Sequence, residues 1–187
     1  MLDIAVAYNR YRFLGNEFMT WLWFAMETDP EALRKCDPEL IELNVGNRMV
    51  LENRSGNGKE TLTIKGDAAG LEEAVLALTK GALITEMQLI YKSGTLQWVF
   101  VLKGESLGFL GIKLPETAPV TADSDMEGAV LEKIYLYEKP IQLIDQVYAF
   151  FLRQRLSDTW LNQTQPAMKR WLNEERERHE IEPTSGR

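Results

Sequence analysis

Phe13-Leu-Gly-Asn-Glu-Phe-Met-Thr-Trp-Leu-Trp-Phe24 is the stretch of this sequence that decides the fold. Large apolar and aromatic side chains dominate it, and several recur at the spacing of one helical face: Leu14, Phe18, Trp21, Leu22 and Ala25. Such a face is stable only against other apolar surface, so the spacing predicts a helix driven into a core. We expect the helix to end near Glu27. Asn9 and Gly15 both permit a break in the chain before it. Asp29 and Pro30 then predict a cap and the first turn of a short helix.

Length and composition limit the class of protein. With 187 residues the chain is long enough for one core and too short for two ordinary domains. No apolar run approaches the roughly 20 residues needed to cross a bilayer. The first residues carry an acid, Asp3, where a secretory signal carries bases. The sequence therefore predicts a cytoplasmic protein with no membrane partner.

The single Cys36 and the single His179 restrict the chemistry further. One thiol cannot form an internal disulfide, and one thiol with one imidazole cannot make a Cys/His zinc site. His179 lies in a charged C-terminal run, where we expect a solvated side chain. Nucleophilic catalysis of the Ser-His-Asp or Cys-His kind therefore lacks its base. No P-loop or GxGxxG motif is present, and we predict no catalytic residue, no metal and no cofactor.

Between Ile41 and Leu114 the apolar period changes to that of β-strands. Ile41–Asn53 and Lys59–Lys65 predict a β-hairpin, with a kink or bulge at Gly46-Asn47. A helix over Leu71–Lys80 follows. Three closely spaced runs then predict an antiparallel meander, because connections so short cannot make parallel crossovers. These runs are Leu83–Tyr91, Leu96–Leu102 and Leu107–Leu114.

The C-terminal third is predicted to be helical. Pro115–Asp125 is a linker-like segment, and the apolar positions beyond it indicate a helix from Met126 to Tyr137 and a second beginning at Pro140. A last helix begins at Trp160 and ends in the charged run Asn173–Glu180. Residues 179–187 are predicted to be a disordered tail. We therefore predict one α+β domain over residues 1–178, with an internal linker at 115–125. It has a mainly antiparallel sheet of about five strands, packed helices and a helical C-terminal third.

Two acids fall within predicted core elements: Glu17 in the aromatic helix, and Glu86 in a strand on the parity of Ile84, Gln88 and Ile90. A carboxylate in such company can act as an acid or base, or help hold Mg²⁺, as in a metal-dependent nuclease. Such a nuclease needs two or three acids that converge at strand ends, and the sequence pattern does not bring any such group together. Because buried acids usually pair with Lys or Arg, we favour ion pairs for both and predict that the protein is not an enzyme.

Basic residues concentrate in the predicted strands and on the C-terminal helices, although the net charge is −7. If the strand edges meet one helix, these bases form a stripe for DNA phosphates, without base reading. The bases that we predict to contact DNA are Arg48, Lys65, Lys92, Lys103, Arg153 and Arg155, and four others lie nearby in sequence: Arg54, Lys59, Lys169 and Arg170. Exposed strand edges also carry Lys as protection against aggregation, and this alternative stays open. Trp98 and Phe100 have the parity of core residues, so no stacking platform accompanies the bases.

Five blocks of the sequence, in this order, resemble the C-terminal half of the RdgC family of recombination-associated proteins. The blocks are the aromatic stretch Phe13–Phe24, Asn47-Arg-Met-Val-Leu51, Gly81-Ala-Leu-Ile-Thr-Glu-Met-Gln-Leu-Ile90, Trp98-Val-Phe-Val-Leu-Lys-Gly104 and Tyr135-Leu-Tyr-Glu-Lys-Pro-Ile-Gln-Leu-Ile-Asp145. The order matches over about residues 2–160. Family members carry a substantial N-terminal half before this region, which is absent from this sequence.

The resemblance implies a non-enzymatic α+β protein of the bacterial nucleoid. Family members form ring-shaped dimers, bind double-stranded DNA without sequence preference and restrain RecA-driven strand exchange. By this resemblance the expected partners are double-stranded DNA, a recombinase or a full-length relative, and the expected state is a homodimer. The alternative hypothesis is an acidic protein-interaction module that acts through a partner protein without direct DNA contact.

Overall fold

The computed structural model describes residues 4–55, 58–66, 68–116 and 126–181, and the side chains of 14–53, 60–66, 71–116 and 126–177. It confirms the predicted α+β architecture. The elements in chain order are α1 (Ile4–Thr28), α2 (Pro30–Arg34), β1 (Leu40–Ser55), β2 (Gly58–Lys65), α3 (Ala68–Thr79), β3 (Leu83–Ser93), β4 (Leu96–Lys103), β5 (Phe109–Lys113), α4 (Met126–Arg155), a π-helix (Trp160–Thr164) and α5 (Gln165–Ile181). No described helix combines the length and apolar character needed to cross a membrane.

The five strands form one antiparallel sheet in the order β2-β1-β3-β4-β5. The predicted hairpin pairs β1 with β2, and the predicted meander places β3, β4 and β5 side by side. β1 shifts its register against β3 between Val45 and Met49, which confirms the bulge predicted at Gly46-Asn47. This bulge lets the long strand β1 continue to pair with both of its neighbours.

The core lies on one face of the sheet, which we call the inner face. Alternate residues of β3 and β4 point into it, and Tyr91, Trp98 and Phe100 are completely buried, so the predicted core parity of Trp98 and Phe100 is confirmed. The buried faces of all five α-helices join the same apolar cluster. The opposite face of the sheet, which we call the outer face, carries the alternate, more polar residues of the strands.

Helix α1 crosses the sheet without interruption, so neither Asn9 nor Gly15 breaks it. Gly15 instead permits a close approach to the end of β4. A Cβ atom added at Gly15 would lie 1.6 Å from the carbonyl oxygen of Gly104, which no side chain can tolerate. At its end, the Asp29 carboxylate accepts a hydrogen bond from the Ala32 amide at 3.1 Å, with Pro30 in the first turn of α2, as predicted.

Helix α4 is continuous from Met126 to Arg155, so the prediction of a separate helix beginning at Pro140 was wrong. A proline inside a helix has no N–H to donate to the carbonyl four residues earlier, here that of Leu136. In this fold the Trp98 indole N–H donates to the Leu136 carbonyl oxygen at 2.8 Å instead. Pro140 is buried and the freed carbonyl has a partner from the sheet, so the helix continues.

The last helix begins, as predicted, at Trp160, but its first five residues form a π-helix before α5 starts at Gln165. Helix α5 continues through His179 to Ile181. Residues 117–125 of the predicted linker and residues 182–187 of the predicted tail lie outside the described residues.

Candidate nucleic-acid interface

Four of the six bases predicted to contact DNA lie on the outer face of the sheet. Arg48 of β1 stands directly opposite Lys65 of β2, and paired residues of neighbouring strands share a face. Lys103 of β4 stands opposite Glu86 of β3. Lys92 lies further along β3, on the same side as Glu86. The strands thus bring together bases that are up to 55 positions apart in sequence, from Arg48 to Lys103.

Glu86 forms ion pairs with two of these bases on the outer face. Its Oε2 atom lies 2.8 Å from Nη2 of Arg48, and its Oε1 atom lies 4.0 Å from Nζ of Lys103. The ion pair predicted for Glu86 is therefore confirmed. Its predicted shared face with Ile84 was wrong, because the register of β1 against β3 shifts between Val50 and Leu51, which turns Ile84 into the core and leaves Glu86 on the outer face.

A second ion pair lies at the other end of the outer face, where Lys92 of β3 contacts Glu42 of β1. The hydrogen bond from Lys92, together with one from Asn44, lowers the pKa of the Glu42 carboxyl below its usual value. The Lys92 side chain remains partly exposed to solvent in this pair.

Two bases of the outer face have no ion pair among the described residues. One is the predicted Lys65; the other is Lys113 of β5, which stands opposite Val99 and is exposed. Lys113 was not among the bases predicted to contact DNA, although it falls within the predicted strand Leu107–Leu114. Among the strand residues whose side chains the structure describes, the outer face carries five bases and three acids, Glu42, Glu52 and Glu86, in a chain whose net charge is −7.

The described side chains of the outer face include no aromatic ring. Tyr91, Trp98 and Phe100 point into the core, and Phe109 of β5 packs against Phe100 with ring centroids 5.1 Å apart. Stacking on nucleic-acid bases needs exposed rings, so this surface offers cations, polar groups and aliphatic side chains such as Ile90 and Val99, but no stacking platform.

The remaining two predicted bases, Arg153 and Arg155, lie on the last turn of α4, in the helix layer. The Arg155 Nε atom donates to Oε2 of Glu17 at 2.8 Å, and its guanidinium group lies 5.2 Å from the ring centroid of Trp160. The ion pair predicted for Glu17 is thus confirmed. The structure does not bring these two arginines together with the four bases of the sheet.

Of the four other bases considered, Lys169 and Arg170 are exposed on α5, and the side chains of Arg54 and Lys59 lie outside the described residues. Within the described ranges no three His, Cys, Asp or Glu side chains converge in a way that would hold a metal ion. The outer face is therefore the surface that carries four of the six predicted bases.

No protein-family model, curated protein or solved structure matches this chain. The resemblance to the RdgC family thus rests on the five sequence blocks. All five blocks meet in the structure. Met49 of the second pairs with Met87 of the third, which pairs with Leu102 of the fourth. Gly15 of the first approaches Gly104 of the fourth, and Trp98 of the fourth donates to Leu136 of the fifth.

Proposed function

We propose that this protein is a non-enzymatic, RdgC-like protein of DNA recombination in the bacterial nucleoid, and that it binds double-stranded DNA without sequence preference through the outer face of its sheet. The observation that supports the proposal most is the position of Arg48, Lys65, Lys92 and Lys103 on one face of the sheet. Contacts of Lys and Arg with phosphates supply sequence-independent affinity, which matches a surface that has cations but no stacking rings.

The ion pairs on the outer face suit transient binding. Glu86 pairs with Arg48 and Lys103, and Glu42 pairs with Lys92. The side chains of these three bases remain partly exposed, so each base can exchange its carboxylate partner for a phosphate. Such an exchange gives less net gain than binding by a free cation, so we expect modest affinity. Lys65 and Lys113, which have no ion pair among the described residues, should contribute most per residue.

The alternative function is an acidic interaction module that reaches DNA only through a partner protein. The net charge of −7 and the neutralisation of three outer-face bases by acids favour it. Under this alternative the outer-face lysines protect the sheet against aggregation, and the purified protein alone does not bind DNA.

Titration of the protein with a fluorescent duplex at several salt concentrations separates the two functions. If four or five bases contact phosphates, the logarithm of the affinity should fall with the logarithm of the salt concentration with a slope of about −4. Substituting Lys65→Ala or Lys113→Ala should each weaken binding at low salt and reduce the slope by about 1.

The matched control is Lys169→Ala, which removes an exposed lysine from α5 in the helix layer and should leave both affinity and slope unchanged. Arg153→Ala tests the original sequence prediction and should behave like this control. Absence of binding at low salt, or an affinity that does not respond to salt, would refute direct DNA contact and favour the interaction module.

A further inference from the structure

Strand β2 is one edge of the sheet, and one side of its backbone has no partner strand among the described residues. The Gly66 amide donates to the Asn47 carbonyl oxygen at 3.0 Å, which fixes the hydrogen-bonded pairs of the β1–β2 ladder. Such pairs alternate with non-bonded ones along an antiparallel ladder. The even-numbered residues of β2 therefore bond to β1, whereas Thr61 and Thr63 direct their N–H and C=O groups away from it.

The β2 edge lacks the usual protection against another strand. Native edges are commonly shortened, bulged or interrupted by Pro or Lys. The other edge, β5, is only five residues long, and its pairing with β4 is irregular. Strand β2 pairs with β1 over eight residues without a register shift, has no proline and carries Lys only at positions 59 and 65. The exposed Thr61 and Thr63 thus offer a regular template for a further strand.

An apolar groove runs beside this edge, between β2 and α3, and we call it the β2 groove. Its volume is about 680 Å³, within the range of sites that hold ligands. Leu62 of β2 and Leu76 of α3 line it and are 39% and 44% exposed, and the buried Leu51 and Ala82 also line it. Thr61 is a further lining residue, so the apolar groove and the unpaired backbone lie side by side.

The charges of the β2 groove favour a basic partner. Glu60 of β2 and Glu73 of α3 both line the groove, are exposed and form no ion pair within the described part of the chain. Lys80 is the one base among the lining residues of the groove. A partner with a positive charge therefore complements the groove, whereas the β2 strand of a second copy would bring a further Glu60 carboxylate to it.

We propose that the β2 groove binds an extended segment of a partner protein in which apolar and polar residues alternate and a basic residue follows the apolar ones on the same face. The backbone of the segment pairs with Thr61 and Thr63, and its apolar side chains cover Leu62 and Leu76. Its basic side chain meets the carboxylates of the groove. The proposal does not rest on DNA binding, because the groove belongs to the inner side of the sheet edge and uses none of the outer-face ion pairs.

The acetylated and amidated peptide Thr-Val-Thr-Val-Thr-Lys, whose valines and lysine share one face of a strand, is a suitable probe. Amide hydrogen exchange at Thr61 and Thr63 should slow about tenfold when the probe concentration is about ten times its Kd. Methylating one alternate set of probe amides should abolish binding, and methylating the other set should not, because only one set faces β2.

Two leucine variants test the apolar contact. Leu76→Ser removes an exposed side chain from the wall of the groove and should weaken probe binding several-fold. The matched control Leu110→Ser removes a leucine of similar exposure, 40%, from β5 at the other edge and should leave the affinity unchanged.

A charge reversal tests the choice of a basic partner. Glu73→Lys should weaken binding of the lysine probe and strengthen binding of a probe that ends in glutamate. Glu72→Lys makes the same change at the preceding position of α3, which does not line the groove, and should leave both affinities nearly unchanged.

The proposal would be overturned by unchanged exchange at Thr61 and Thr63 with millimolar probe, by equal effects of the two methylated sets, by full affinity in Leu76→Ser, or by equal effects of Glu73→Lys and Glu72→Lys. No DNA is present in these measurements, so their outcome is separate from that of the duplex titration.

Discussion

The hydrogen bond between Trp98 and the Leu136 carbonyl allows a direct test of how α4 tolerates its proline. In the natural protein the ring centroids of Trp98 and Tyr91 are 4.8 Å apart. Changing Trp98 to Phe removes the indole N–H but keeps an aromatic ring stacked on Tyr91. The Leu136 carbonyl then has no donor from within the helix, because residue 140 is proline. We expect a loss of about 1–3 kcal/mol for the unpaired buried carbonyl and about 1 kcal/mol or more for the smaller ring.

The same substitution should be less costly in the Pro140→Ala background. There the residue at position 140 has a backbone N–H that can donate to the Leu136 carbonyl, so Trp98→Phe removes only packing. The double-mutant cycle should show a coupling of about 1–2 kcal/mol between the two positions. Urea unfolding followed by far-ultraviolet circular dichroism gives the four free energies, provided that the dependence on urea is similar in all variants.

Trp160→Phe is the matched control for the cycle. Trp160 is buried, but its indole N–H has no hydrogen-bond partner among the described residues, so its replacement removes ring volume without removing a hydrogen bond. It should show no coupling to Pro140→Ala. If Trp98→Phe costs the same in both backgrounds, the explanation given for the continuous helix is wrong.

Three further predictions concern the packing, the pH dependence and the outer face. Gly15→Ala should destabilise the protein by about 3 kcal/mol in urea unfolding, because its Cβ would collide with the Gly104 carbonyl. Burial, with the hydrogen bond to Asp37, raises the pKa of Tyr91 from 10.0 to about 12. The folded state therefore keeps this proton longer than the unfolded state, and stability should fall between pH 10 and pH 12 by up to about 3 kcal/mol relative to Tyr91→Phe. Glu86→Gln should strengthen duplex binding several-fold, because it removes one negative charge from the outer face.

Each of these has a result that would contradict it. Unchanged stability in Gly15→Ala would mean that α1 does not approach β4 as closely as the structure places it. Parallel alkaline stability curves for the natural protein and Tyr91→Phe would refute the raised pKa of Tyr91. Glu174→Gln, an exposed acid on α5, is the charge-matched control for Glu86→Gln, and equal effects of the two would show that only net charge matters.

The order of the elements could be predicted from sequence because apolar periodicity is a local signal. The hairpin, the meander and helix α3 lie where their patterns indicate. Pro140 is different, because its tolerance depends on a donor from Trp98, which lies 38 residues before Leu136 and is revealed by no local pattern. The face of Glu86 was likewise set by a register shift against β1, a neighbour whose pairing cannot be read from the β3 sequence alone.

The candidate site was predictable to the same extent. Strand parity and the hairpin register place Arg48 and Lys65 together, and the meander adds Lys103. Whether Arg153 and Arg155 join them depends on which face α4 covers, and this is decided by tertiary packing. Lys113 has the same parity as Phe109, which packs on the core, and only the register shift of β5 against β4 places it opposite Val99 on the outer face.

The proposal of DNA binding by the outer face is tested most directly by amide chemical-shift mapping of the isotope-labelled protein with a short duplex. We predict that the amide chemical shifts of four outer-face residues change and saturate as the duplex is added: Arg48, Lys65, Lys103 and Lys113. The amides of α5 should not change. Shifts confined to the helix layer, around Arg153 or Lys169, or no shifts at low salt, would contradict it.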